Sequence, residues 1–286
     1  MCRWVGYLGD PIRPEQILYD SSHSLIEQSR HAVRGLPTED GTVPAPFTNG
    51  DGFGLGWYGH REQPGLYRNV MPAWGDTNLR DIAGQIESRL FLAHVRAATG
   101  SAVQQTNSHP FRFGRWLFVH NGFVAEYEHL RHALILAIGP QLFENVQGTT
   151  DSELLFHLAL KFGLEEDVIG AFERMAGFIE ELGRSRGVHE PLQMTVGVSD
   201  GERLYAVRYA SGPAVNSLFV TRDARDVWAL CPHDEDVQQL SDEAHVIVSE
   251  PLDDLPERWV EVPPATAVIL GPDDSTHIPF TPRSAG

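Results

Sequence analysis

The apolar segments of this chain change period along its length, and their order restricts the fold more than any other feature. Val5–Leu8 is a short apolar stretch closed by Gly9-Asp10-Pro11, and it reads as a strand that begins almost at the first residue. Leu90–Val95 is nearly continuous apolar, as a strand covered on both faces should be, and Trp116–Val119 is similar. Tyr127, Leu130, Leu134 and Ile138 then fall at helical spacing. Thr150 and Glu153 make a capping box ahead of Leu154, Leu155, Leu158 and Phe162, and Val168, Phe172, Met175, Ile179 and Leu182 mark another helix. Beyond residue 190 the period returns to two. Met194, Val196 and Val198 alternate, Asp200-Gly201 is a hairpin turn, and Leu204–Val207 runs back. Leu218–Thr221, Val227–Leu230, His245–Ser249 and Ala267–Leu270 read as further short strands. Strands, then helices, then strands again predicts helices covering stacked sheets and not a repeating βαβ chain.

Near the start, Ser24 and Glu27 form a capping box, and Gly35 and Pro37 are stop signals, so a helix is expected near 24–34. Residues 36–51 are Pro/Gly-rich and read as a loop, more mobile without ligand than with it. No repeat, linker or low-complexity block divides residues 1–286, so one domain is expected. A hydrophobic fraction of 42% against 21% charged residues is enough for a packed core. The formal net charge of −17 argues against a general nucleic-acid binder or a binder of anionic membranes. With no signal-peptide pattern and no run of 18 apolar residues, the cytoplasm is the expected compartment. Cys2 and Cys231 form no CxxC, which argues against a disulfide framework or a cysteine zinc site, and Cys231 reads as an inert, half-buried thiol.

Gly54-Leu55-Gly56-Trp57-Tyr58-Gly59 spells G-x-G-x-x-G. A dinucleotide site would need a helix to start there, but His60–Gly65 has the composition of a turn. A Gly-rich strand that admits a second backbone is the better reading. His129 and His132, three apart on the expected helix, lack a carboxylate partner and read as a solvated face rather than a metal pair.

Cys2 acquires chemistry from its position. Removal of Met1 would leave its thiol beside its own α-amine. An α-amine titrates at about 7.7–8.0 and a thiol at about 8.5, so the amine can take the thiol proton at little cost. One residue then carries nucleophile and general base. The remaining parts of such a site lie at strand ends. Strand 90–95 runs into Arg96-Ala97-Ala98-Thr99-Gly100, and strand 116–119 into His120-Asn121-Gly122. Arg96 can fork onto a carboxylate. Asn121 offers an amide N–H2 and Gly122 a backbone N–H. Asp151, in the first turn of a helix, can hold an ammonium, although the helix dipole alone would also favour it there.

Taken together these pieces resemble the class II glutamine amidotransferase domain of the N-terminal-nucleophile hydrolase superfamily. The matching segments are Met1-Cys2-Arg3, His94–Thr99, Asn107-Ser108-His109-Pro110-Phe111, Val119-His120-Asn121-Gly122 and Thr150-Asp151-Ser152-Glu153, in the family's order within roughly the first 160 residues. Ser24–Ala32 and Asp51–Tyr58 look like the small stand-alone members, such as the ergothioneine-pathway γ-glutamyl hydrolases. The resemblance implies an α+β fold, an αββα four-layer sandwich of two mainly antiparallel sheets flanked by helices, with residues 161–286 completing it.

It also implies roles. Cys2 attacks the γ-carbonyl of glutamine or a γ-glutamyl conjugate to form a thioester, and Asn121 with the Gly122 N–H forms the oxyanion hole. Arg96 and Thr99 hold the α-carboxylate and Asp151 the α-ammonium, with no metal and no organic cofactor. His109 is assigned to structural support, and Arg3 and Trp4 receive no catalytic role. Larger members usually carry Trp after the clamp arginine and often His after the threonine. Here these positions are Ala97 and Gly100, which alters the pocket wall and admits a leaving group bulkier than ammonia. With Gly286 as the last residue, no attached synthase domain is expected. The alternatives are a glutaminase subunit that supplies ammonia to a separate synthase partner, and a catalytically silent glutamine- or γ-glutamyl-binding module. The sequence leaves the oligomeric state open.

Overall fold

In the computed structural model, which describes residues 2–32, 47–230, 244–272 and 274–284, the first strand β1 (Arg3–Ile12) divides its side chains between two cores. Trp4 and Leu8 pack between the two sheets, whereas Val5 and Tyr7 pack against helices on the outer side. A strand buried on both faces has no polar side to display, which is why Val5–Leu8 carries no alternation in the sequence. The helices α1 (Pro14–Leu18) and α2 (Leu25–Arg30) follow, then β2 (Phe53–Trp57), β3 (Gly65–Asn69), α3 (Thr77–Gln85) and β4 (Ser88–Val95). Strands β5 (Phe111–Phe113) and β6 (Trp116–Val124) lead into a helical stretch. It comprises α4 (Tyr127–Ile138), α5 (Pro140–Phe143), α6 (Asp151–Lys161) and α7 (Val168–Ser185). The chain then forms β7 (Leu192–Ser199), β8 (Leu204–Ala210), β9 (Phe219–Thr221), α8 (Ala224–Trp228), β10 (His245–Val248), β11 (Trp259–Glu261), β12 (Thr266–Leu270) and β13 (Ser275–Pro279).

Among the described residues the strands build two antiparallel sheets. The seven-stranded sheet has the order β11-β9-β10-β1-β4-β2-β3, and the six-stranded sheet β13-β12-β8-β7-β6-β5. Leu90 and Leu92 of β4 meet Leu117 and Val119 of β6 between the sheets. On the outer face of the second sheet, Phe118 stacks on Phe156 at 5.1 Å and on Phe172 at 6.2 Å, which fixes α6 and α7 against β6. The layers are therefore helix, sheet, sheet, helix, an α+β arrangement, as the order of apolar periods predicts.

Two local expectations need correction. Val227–Leu230 is not a strand, because Ala224–Trp228 is helical. The Asp223 carboxylate accepts from the backbone N–H groups of Arg225 and Asp226, and Asp226 reaches back to the Asp223 N–H. A four-residue apolar run fits either period, and this cap decides for helix. The helix expected over 24–34 ends at Arg30, after which Ala32 bridges to Phe47. Half of the expected capping box forms at its start: the Ser24 side chain accepts from the Glu27 N–H at 3.2 Å, whereas the Glu27 carboxylate faces Arg30 and His31. The stop signals Gly35 and Pro37, residues 36–46 of the expected loop, and Cys231 lie outside the described residues.

The G-x-G-x-x-G segment is a strand, β2, paired on both sides, and no helix starts at its end. An alanine Cβ at Gly54 would stand 2.3 Å from the His109 carbonyl oxygen and 3.0 Å from that of Tyr67. Backbone cannot yield as a side chain tip can. We therefore expect Gly54→Ala to lose about 1–3 kcal/mol or more, read as a lower urea midpoint at unchanged slope. An unchanged midpoint would contradict this packing.

Candidate active site

The register of the central strands brings the candidate residues together. Antiparallel pairing sets Arg3 opposite Val95 and Trp4 opposite His94, so Cys2 falls beside the residues that leave the end of β4. The Cys2 Sγ lies 3.7 Å from the Ala97 carbonyl oxygen. Burial pushes the thiol up from its ordinary pKa, and the guanidiniums of Arg96 and Arg3 pull it back only in part. A thiol so placed is protonated at neutral pH and needs a base to become a nucleophile.

Arg96 is buried, at 3% exposure. Its backbone exchanges hydrogen bonds with Gly52 (2.8 Å) and Asp51 (3.0 Å). Its guanidinium donates to the Asp51 carbonyl at 3.2 Å and to the Ser101 hydroxyl at 2.6 Å. The Asp51 carboxylate in turn accepts from the Ala98 N–H at 2.8 Å and shapes the turn that carries Thr99. Burial pulls the guanidinium pKa down, whereas Cys2, Asp51 and Asp151 pull it up.

On the other sheet, β6 pairs Asn121 with Thr195 and Gly122 with Met194. The Asn121 carbonyl accepts from the Thr195 hydroxyl at 3.1 Å and from the Asn216 amide at 3.2 Å, which immobilises the backbone at this position. A Cβ on Gly122 would stand 2.0 Å from the Gln193 carbonyl oxygen, so only glycine fits there. Asp151 opens α6 behind the capping Thr150. One of its carboxylate oxygens accepts from the Val124 N–H at 2.8 Å and the other from the Ser152 N–H at 2.7 Å.

Cys2, Arg96, Thr99, Gly122 and Asp151 line one cleft of about 400 Å³. Asn121, the sixth candidate, is buried at 3% exposure one residue from Gly122 and is not itself part of the lining. Tyr127 and Arg131 of α4 and Ser101 also line the cleft and were missed, as was Asp51 behind Arg96. No motif announces them. Tyr127 was visible only as a helix-face residue, yet its hydroxyl donates to the Thr149 carbonyl at 3.2 Å beside Asp151.

Three buried histidines adjoin the cleft, and one of them, His109, lines it. His94 meets the His120 carbonyl at 3.1 Å, and burial lowers its pKa to about 3, so it is neutral. His109 stacks on His94 at 4.2 Å and tilts over Phe111 at 4.4 Å. Burial holds its pKa well below the ordinary range. The Nδ1 of His120 lies 2.8 Å from the Ser152 hydroxyl, and burial lowers the His120 pKa against the pull of Asp151. His129 and His132 are exposed on α4. Among the described residues no group of three His, Cys, Asp or Glu could hold a metal, and no helix is long and apolar enough to cross a membrane.

Two stacked antiparallel sheets with a cysteine, an arginine and an aspartate meeting at their edge define an amidotransferase-type domain. Residues 40–279 match the family described as class II glutamine amidotransferases, and the chain belongs to that family. It is 29% identical to the probable glutamine amidotransferase DUG3 of Saccharomyces cerevisiae, over 92% of this chain and 80% of that one. It is also 29% identical to the γ-glutamyl-hercynylcysteine sulfoxide hydrolase of Mycolicibacterium smegmatis, over 82% of this chain and 89% of that protein. A glutamine aminotransferase class-II domain protein from Silicibacter pomeroyi shares the structure with a TM-score of 0.69 and 31% identity, covering 98% of this chain and 100% of the other.

Proposed function

We propose that the protein, acting as one amidotransferase-type domain, hydrolyses a γ-glutamyl amide, of glutamine or of a γ-glutamyl conjugate, through a thioester on Cys2. The observation that carries this reading is the convergence of Cys2, Arg96, Thr99, Gly122 and Asp151 on one cleft. After removal of Met1, the free α-amine takes the thiol proton as Sγ attacks the γ-carbonyl carbon. The tetrahedral oxyanion is held by the Asn121 amide and the Gly122 N–H. The C–N bond then breaks, and the α-ammonium returns its proton to the leaving amine. Water attacks the thioester, releasing the γ-carboxylate and restoring the thiol. Arg96 and Thr99 hold the α-carboxylate, and Asp151 the α-ammonium, so recognition is confined to the glutamyl end. A cleft of about 400 Å³, with Ala97 in its wall, favours a leaving group larger than ammonia.

The test is intact-mass analysis before and after 6-diazo-5-oxo-norleucine. A chain lacking Met1 that gains one adduct, mapped to Cys2, is the expected result. A processed chain that gains none would overturn the reading.

A pH dependence follows from the raised Cys2 pKa. A raised thiol pKa means less thiolate at any given pH. The Met1-bearing chain, whose Cys2 nitrogen is an amide, is expected to react slowly with iodoacetamide at pH 7 and to speed up as pH rises past the ordinary thiol range near about 8.5. The processed chain should react faster at pH 7–8, because its amine carries the proton away. Equal rates over that range would remove the amine from the mechanism.

A further inference from the structure

The segment that fixes Cys2 comes from the far end of the chain. The Arg3 Nε donates to the Glu250 carboxylate at 2.7 Å, with both side chains almost fully buried, at 3% and 1% exposure. A second guanidinium nitrogen, Nη1, donates to the Cys2 carbonyl oxygen at 2.9 Å. The other Glu250 oxygen lies 2.7 Å from His23 Nε2. Gln28 donates to the carbonyls of His23 (3.0 Å), Glu250 (3.1 Å) and Pro251 (3.2 Å), tying the turn after β10 to α2. The guanidinium also rests over the Phe47 ring, 5.3 Å from its centroid. Strand β10 continues the hold. The Trp4 N–H donates to the Ser249 hydroxyl at 3.2 Å, and the Ser249 N–H to the Trp4 carbonyl at 3.1 Å.

We infer that Glu250 is a positioning residue for the nucleophile, acting through Arg3 on the Cys2 carbonyl. The inference rests on the proposed role of Cys2. A first residue with a free amine is tethered on one side only and frays unless tied down. Its thiol and α-amine must nevertheless keep a fixed mutual geometry if one is to take the proton of the other. Holding the carbonyl fixes the Cys2–Arg3 peptide plane, and with it the axis about which the amine and the thiol turn, so it aims both groups from behind. A buried ion pair adds little stability in itself, because desolvation offsets its attraction, so a role in fixing one geometry is the better account of it. Burial pushes the Glu250 pKa up, but the His23 hydrogen bond and the Arg3 cation outweigh it and hold it at about 2, so the pair stays charged throughout the working range.

The test compares Glu250→Gln with Glu261→Gln. The second variant breaks another ion pair, Arg208–Glu261 at 2.8 Å, on strands β8 and β11, neither of which lines the cleft. With L-glutamine and a γ-glutamyl amide as substrates, Glu250→Gln is expected to lower kcat by roughly 10- to 100-fold while KM moves less than about twofold. The KM is set by the clamp at the glutamyl end, which Glu250 does not touch. Alkylation of Cys2 in the processed chain by iodoacetamide at pH 7–8 should become several-fold slower, because a thiol and an α-amine no longer aimed at each other lose the proton transfer that speeds it. Glu261→Gln should change neither rate. Should Glu250→Gln fail to fold, Arg3→Lys keeps the cation, loses the fork, and is expected to give the same pair of changes. Unchanged kcat and alkylation in the folded variant, or equal changes in Glu261→Gln, would overturn the inference. Absence of turnover in the unsubstituted protein would overturn the proposed function instead, and the alkylation rates would still decide this one.

Discussion

Cys2→Ala is expected to lower kcat/KM for glutamine and γ-glutamyl amides by at least about 10⁴-fold, the scale on which removal of an attacking nucleophile acts. The cleft that Cys2 shares with Arg96 and Asp151 holds no second thiol among the described residues. The neighbouring histidines cannot substitute, because burial lowers the pKa of His94 and His109 so far that each is a poor base, and His94 is occupied with the His120 carbonyl. Loss of one half-buried Sγ, bonded to Ala97 at only 3.7 Å, leaves the β1–β4 pairing intact. The variant should therefore still bind the glutamyl end through Arg96, Thr99 and Asp151, with a Kd near that of the unsubstituted protein. Residual turnover above about 1% would reject Cys2 as nucleophile. Equal saturable binding by both proteins, with product from neither, would establish the silent-binding reading in its place.

What the sequence discloses and what it hides follow from how far apart the interacting residues lie along the chain. β1, β4, β6 and α6 were legible because each is buried on a recognisable face or carries its own cap, as with Thr150 and the Glu153 N–H at 3.2 Å. The clamp, the oxyanion pair and the aspartate were legible because each sits where such an element begins or ends. Val227–Leu230 was misread because a four-residue apolar run has no period of its own. Asp51 escaped notice because it serves Arg96 from behind, and Ser101 because its place on the cleft wall comes from the Arg96 guanidinium it accepts from and not from a motif. Glu250 could not be read at all, since its partner Arg3 lies 247 positions away and neither residue belongs to a motif that names the other. Strand register brings them together, and register is a property of the whole sheet.

Asn121→Ala carries the second large effect, a fall in kcat of about 10²–10³-fold with KM nearly unchanged, as loss of one oxyanion donor produces elsewhere. The fold should tolerate it. The bonds that anchor this position, from the Thr195 hydroxyl and the Asn216 amide, both end on the Asn121 backbone carbonyl, which alanine keeps. Gly122→Ala would be no substitute, because its Cβ would strike the Gln193 carbonyl 2.0 Å away and disturb the strand itself. Asp151→Asn provides the contrast. It removes charge from the glutamyl clamp, so it should raise KM more than it lowers kcat. The two variants thus divide transition-state stabilisation from ground-state binding. A rise in KM for Asn121→Ala with kcat intact would move Asn121 from the oxyanion hole to the substrate clamp, and the stabilisation of the tetrahedral state would then rest on backbone N–H groups alone.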